Sequence, residues 1–195
     1  MKFILKLTSI LFASAMLIFS LPVQAAPETY TLDPNHTYVL WHISHFGFSN
    51  PSGKWMANGT LTLDQANPQN SKLDVIIQVD TLVTGIKELD EHLKGDLFFN
   101  AAKFPTATFV SDKITTTGKD TAQVQGMLTV HGVTKPVTLN VKLNKIDISP
   151  ITNKKTAGFT ATTSIKRSDF DITTLLPGVG DDVKIEIEAE GAKTN

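Results

Sequence analysis

The stretch VTLNVKL, residues 137–143, places Val137, Leu139, Val141 and Leu143 at every second position, with Thr138, Asn140 and Lys142 between them. In an extended chain successive side chains point to opposite faces. This segment therefore has one apolar face and one polar face, as in an antiparallel sheet wet on one side.

The same alternation recurs along the chain. Leu73, Val75, Ile77 and Val79 form one such stripe, Phe159, Ala161, Thr163 and Ile165 another, and Val183, Ile185, Ile187 and Ala189 a third. Eight extended runs are expected, near residues 29–33 with 36–47, 54–63, 72–81, 106–114, 122–131, 135–145, 156–167 and 182–190. The breaks SNPSG, QANPQNS, TTTGKD and HGVTKP are rich in Gly, Pro, Asn and Ser, which are turn formers. Many strands at short spacing predict an all-β barrel or sandwich.

One segment departs from period two. Within residues 84–100, Ile86, Leu89 and Leu93 lie at helical spacing, opposite Lys87, Glu88, Asp90, Glu91 and Lys94. Thr84 is the expected N-cap and Gly95 the expected stop. The aromatic run DLFFNAAKF follows, so the segment reads as a helix with an aromatic knot that plugs one end or side of the barrel.

The chain opens with Lys2 and Lys6, then an apolar run from Leu7 to Leu21, then small residues at Val23 and Ala25. This is the pattern of a secretory signal peptide over residues 1–25, cut after Ala25, and it implies a periplasmic or secreted product. Residues 26–195 then form a single domain, with no stable membrane insertion after cleavage. There is no cysteine in the chain, so packing and hydrogen bonding must supply the stability that disulfides give many exported domains. The formal charge is −1 with no basic tract, which argues against nucleic acid as a partner.

His36, His42 and His45 do not form a local metal site. In a strand His42 and His45 point apart, and His36 lies roughly 20 Å from His42 at about 3.3 Å per residue. Parity instead puts His45 on the inward face with Val39, Trp41 and Ile43. It is then either a satisfied core histidine or a polar contact for something bound inside.

Four segments together resemble the YceI-like polyisoprenoid-binding proteins: LDPNHTYVLWHISHFGFS, DEHLKGDLFFNAAKFPTATFVS, GMLTVHGVTKPVTLNVKL and GFTATTSIKRSDF. The resemblance runs from about Tyr30 to Glu190. It implies an eight-stranded antiparallel, lipocalin-like barrel whose apolar channel holds a long isoprenoid lipid, of quinone or polyprenyl phosphate type, with no other cofactor. On that reading the channel wall includes Val39, Trp41, Ile43, His45 and Trp55 from the first strands. Val75, Ile77, Phe99, Phe109 and Leu128 come from the middle of the chain. Leu139, Val141, Phe159, Ala161, Ile165 and Phe170 complete it. Asp90, His92 and Arg167 are the candidate head-group contacts. Homodimers are common in such families, and Tyr38 and Leu40, on the outer face beside His42, would suit a second copy or the plug helix.

Arg167 shares parity with Phe159 and Ile165 and should point inward. A buried arginine needs a carboxylate or several carbonyls. Asp169, Asp90 or Asp96 would give a barrel-closing ion pair, and a ligand phosphate or carbonyl would give a head-group clamp. An alternative ligand class is other long-chain amphiphiles, such as fatty acids or amides. A lipid-modifying enzyme using Asp90, His92, Asp96 and His131 is the weaker reading, because no nucleophile motif or metal motif accompanies them. A scaffold binding only protein partners would instead require an exposed apolar strand edge.

Overall fold

The computed structural model describes residues 26–194; the expected signal peptide lies outside the described residues. The chain forms nine strands, β1 (Glu28–Leu32), β2 (Tyr38–His45), β3 (Ser52–Leu63), β4 (Lys72–Gln78), β5 (Thr106–Thr116), β6 (Thr121–Val130), β7 (Val133–Ile148), β8 (Lys155–Lys166) and β9 (Val179–Lys193), with one helix, α1 (Lys87–Lys94). All pairings are antiparallel and the ring closes through β3 against β4. β1 and β2 each pair with both β3 and β9, in one lane: Leu32 faces Gly59 and Gly191, Tyr38 faces Met56 and Glu188, and the register shifts across the turn between them. They are two halves of one stave, so the nine strands make an eight-stave barrel with a short helical insertion.

The break in that first stave is local chemistry. Asp33 accepts a hydrogen bond from the Asn35 amide at 2.9 Å and pairs with His36 Nδ1 at 2.7 Å, which folds Asp33–His36 into a turn. Thr37, buried, then donates its hydroxyl to the Glu190 carbonyl and returns the chain to the sheet. Strand β4 also ends earlier than expected, because Val79–Thr81 winds into a single 3₁₀ turn.

The four stripes read from the sequence all face the interior. Val137, Leu139, Val141 and Leu143 meet Leu73, Val75 and Ile77 across the barrel, with Phe159, Ala161, Ile185 and Ile187 alongside. One end is stapled by Glu28, which takes Lys193 at 2.8 Å, Lys155 at 2.5 Å and the Tyr30 hydroxyl at 2.8 Å. These bonds tie β1 to β8 and β9 and hold the Glu28 carboxyl down at about 2, with the Lys155 bond the largest cause. Tyr30 is fully buried, and that burial, reinforced by Glu28, pushes its hydroxyl well above the ordinary tyrosine range.

Candidate functional site

The two ends of the barrel differ. At one end are the β3–β4, β5–β6 and β7–β8 turns with the start of β1 and the end of β9. At the other are the β2–β3, β6–β7 and β8–β9 connections and the long β4–β5 excursion that carries α1. Between them lie two abutting apolar chambers.

The larger chamber has a volume of about 330 Å³ and runs from the middle of the barrel to the turn-bearing end. Phe109, Leu128, Leu139, Val141, Phe159 and Ala161 line it, and Gln65, Thr116, Lys119, Asp120 and Thr121 rim its mouth. Small residues open the space: Ala57, Ala161 and Thr163 leave room that larger side chains would fill. At Gly126 the missing side chain has a different use. A Cβ there would fall on the Val110 carbonyl and the Phe109 ring, so glycine lets β5 and that ring approach β6 closely.

The mouth is a built rim. Buried Asp64 accepts from the amides of Ala66 (3.0 Å) and Asn67 (2.8 Å), while its own amide donates to Ser71 Oγ at 3.0 Å. These bonds fix the 64–71 loop, and the amide bonds, that from Asn67 above all, hold the Asp64 carboxyl below its usual range. Opposite it, the Leu143 amide donates to the Asp120 carbonyl at 2.8 Å, which anchors the β5–β6 turn.

The smaller chamber, about 150 Å³, is the continuation toward the other end. The two share Val39, Ile77, Leu128 and Ile185. Its walls are Trp41, Ile43, Trp55, Phe98, Phe99 and Phe170. Trp41 and Trp55 lie 5.9 Å apart between ring centroids, and Phe99 meets Trp55 edge-on at 5.0 Å. Phe98, Phe170 and Ile172 are buried here and close this end.

Every wall residue expected from the sequence except His45 lines one chamber or the other. His45 is exposed. The register against β9 shifts between Ile43 and His45, so the alternation that carried Val39, Trp41 and Ile43 inward stops one residue short of it. Its ring instead meets Phe46 edge-on at 4.8 Å.

The three candidate head-group residues fare differently. Asp90 accepts the Thr84 amide and the Thr84 hydroxyl, each at 2.6 Å, so it ties down the approach to α1. Those bonds keep its carboxyl below the usual range. The helix begins at Lys87 rather than being capped by Thr84, since Thr84 spends its hydroxyl on Asp90. Gly95 does end it. His92 is exposed, edge-on to Phe98 at 5.1 Å, and lines neither chamber. Both lie at the plugged end, far from the polar mouth.

Arg167 is 6% exposed and lines the inner chamber. Its partners are four backbone carbonyls and not a carboxylate: Nε donates to Gly180 (2.8 Å), Nη1 to Ile172 (2.9 Å) and Thr174 (2.8 Å), and Nη2 to Val179 (2.9 Å). The guanidinium thus pins the connection between β8 and β9. Burial pulls its pKa down, opposed by the charge of Asp181. The mouth residues Gln65 and Lys119 were not expected, because a turn sequence carries no sign of whether its tip overhangs a cavity.

On the outside, Lys54 Nζ sits 4.8 Å over the Tyr38 ring, so the outer face of β2 is partly covered from within the chain. Among the described residues no three His, Asp or Glu side chains converge as metal ligands.

A closed antiparallel barrel with an apolar lumen, plugged at one end and rimmed by polar groups at the other, is the architecture of a container for a lipophilic ligand. The YceI-like domain model matches residues 30–191. Protein YceI of Salmonella arizonae is 39% identical over 185 residues, covering 93% of this chain and 95% of that protein. The chain belongs to the YceI-like family. Among solved structures, Burkholderia cenocepacia BcnA superimposes with a TM-score of 0.74 at 24% identity, covering 82% of this chain and 98% of that one. A polyisoprenoid binding domain from Saccharophagus degradans, implicated in plant cell wall breakdown, superimposes with a TM-score of 0.66 at 15% identity, covering 85% of this chain and 98% of that one. These two likenesses establish the fold.

Proposed function

We propose that the protein is an exported, periplasmic carrier that holds a long isoprenoid lipid, of quinone or polyprenyl phosphate type, inside the barrel. The observation that carries this reading is the end-to-end placement of two apolar chambers that share Val39, Ile77, Leu128 and Ile185 as lining. A compact ligand needs one pocket; a slim, many-carbon chain needs a run of them. The Saccharophagus degradans protein, which shares the fold, is described as polyisoprenoid-binding. The export pattern of residues 1–25 supports the compartment.

The energetics suit such a ligand. Burial contributes about 0.8 kcal/mol per CH₂. Half-burying a chain of about forty carbons gives on the order of 15 kcal/mol gross. Ordering and immobilising the chain offsets much of that, leaving micromolar to nanomolar affinity without a strong polar contact. The carrier has no catalytic role in this reading, because neither Asp90 nor His92 reaches the lumen.

The test is a length series. Delipidated protein is titrated with prenyl alcohols of increasing isoprene number. Affinity should climb with each added unit and level off when the lumen is full. Affinity independent of chain length would remove the carrier reading.

A further inference from the structure

Exposed apolar side chains gather at the plugged end. Among the described residues, Phe46, Phe48, Val83, Ile86, Leu97 and Leu175 all stand on its loops, with Phe48 91% exposed. Fixed structure holds them there. The Phe46 amide donates to the Gly178 carbonyl at 2.7 Å, and the Val179 amide to the Leu175 carbonyl at 2.9 Å. The Thr174 hydroxyl donates to the Leu97 carbonyl at 2.6 Å. The β2–β3 loop, the β8–β9 connection and the aromatic run after α1 therefore form one surface. Phe46 and Leu175 also adopt left-handed backbone, with φ of 52° and 64°, which bulky residues seldom do.

That surface is free of charge. Residues 46–53, 81–86, 97–102 and 172–180 hold no Asp, Glu, Lys or Arg, although charged residues make up 19% of the chain. The other end of the barrel differs: its exposed Ile148 and Ile151 sit in a turn with Lys145, Asp147, Lys154 and Lys155. A large exposed apolar patch marks a contact site for a protein or a membrane. Two features favour a membrane. A protein partner is met by complementary shape and charge, whereas here the most exposed groups project singly from loop tips and carry no charge to set a register. A bilayer interface accepts projecting apolar groups in any arrangement. The charges that flank the four segments are mixed, Lys54, Lys87 and Lys103 against Asp80, Asp96, Asp171 and Asp181, which suits zwitterionic head groups and gives no pull toward an anionic surface. The plug is also apolar on both sides. Leu97 and Leu175 are exposed, while Phe98, Phe99, Ile172 and Val179 on the same segments line the inner chamber. The patch is thus continuous with the chamber wall.

We propose that the plugged end docks, reversibly and peripherally, on a zwitterionic phospholipid bilayer, with Phe46, Phe48, Leu97 and Leu175 in the interfacial layer. The plug then faces the membrane and the polar mouth faces away from it. This goes beyond the carrier reading and depends on the surface alone, whatever molecule fills the lumen.

The test is sedimentation of the purified protein with large unilamellar vesicles of phosphatidylethanolamine and phosphatidylcholine, and with vesicles that also contain phosphatidylglycerol, at low and high salt. It should bind both, with less than about a twofold difference between compositions or salt levels, since no cation drives the contact. Phe48→Ser should weaken partitioning about tenfold, the loss expected when one phenyl ring is no longer buried. Ile151→Ser is the matched control, 92% exposed at the opposite end, and should change partitioning less than about twofold. Both positions are exposed, so both variants should keep the fold, and circular dichroism checks this. Failure to bind either vesicle overturns the proposal, as does an equal loss in Ile151→Ser and Phe48→Ser. Binding confined to phosphatidylglycerol vesicles and lost at high salt overturns it by moving the contact to lysines. A dimer in sedimentation velocity that Phe48→Ser dissociates, with no vesicle bound, overturns it by making the surface a contact between two copies. None of these outcomes touches the carrier reading, whose length series uses no vesicles.

Discussion

Ala161→Phe separates an open lumen from a packed core. Ala161 is 6% exposed, pairs with Val141 and Ile187 on the neighbouring strands, and faces the larger chamber beside Phe159. In a filled barrel the six added ring carbons would have to displace their neighbours, at a cost of about 1–3 kcal/mol. Here they project into a void of about 330 Å³. The ligand-free protein should therefore keep its thermal midpoint or gain slightly, because filling a cavity removes an existing penalty. The ligand bears the consequence. A ring that excludes about six chain carbons removes up to about 5 kcal/mol of burial at 0.8 kcal/mol each. The tail can shift toward the mouth and recover part of this, so a loss of about 1.4–2.8 kcal/mol is expected, ten- to a hundredfold in affinity. Differential scanning calorimetry on delipidated protein and calorimetric titration with a long prenyl chain give the two numbers. A sharp fall in the midpoint together with unchanged affinity would refute the reasoning.

Three further perturbations test the site as described. Arg167→Met should destabilise by about 3–5 kcal/mol in urea unfolding, since four carbonyls lose their donor at once, and Arg167→Lys should recover only part of this because a lysine has three donors on one atom; near-wild-type stability of Arg167→Met would mean that the staple is dispensable. Glu28→Gln should flatten the acid limb of the stability curve. The Glu28 pKa lies near 2 in the fold against 4.5 ordinarily, so its stabilisation is complete above about 4.5 and is lost as pH falls toward 2; unfolding midpoints measured across that window should converge for the two proteins, from a gap on the order of 1 kcal/mol at neutral pH. Asp90→Ala should lower the thermal midpoint by freeing Thr84 and loosening the α1 plug, while lipid affinity changes less than twofold; a tenfold loss of affinity with the midpoint intact would return Asp90 to the head-group site.

The barrel wall was legible because side-chain parity is a local property. Once VTLNVKL was read as a strand, the inward set Val137, Leu139, Val141 and Leu143 followed, and the same held for β4, β8 and β9. Parity fails where a strand is irregular, and nothing in YVLWHISH announces the shift beyond Ile43 that exposes His45. The break in the first run, between residues 33 and 36, was expected, but the contacts that make it were not legible. The two halves share one lane, so the hydrophobic pattern runs on across a turn made by short polar contacts. Arg167 shows the limit in another form. Its inward direction followed from spacing, but its partners are carbonyls at Ile172, Thr174, Val179 and Gly180, and backbone acceptors leave no mark on residue identity. The polar mouth was the least legible part, because Gln65 and Lys119 sit in ordinary turns whose position over the lumen is decided by closure of the ring.

The most direct test of the central claim is native mass spectrometry of the protein purified from its native host under conditions that keep bound lipid, followed by solvent extraction and identification of what is released. The account predicts one stoichiometric adduct per chain whose extract is a long prenylated molecule. Recovery of the chain at its bare mass, with no lipid in the extract and none taken up on incubation with prenyl lipids, would contradict it.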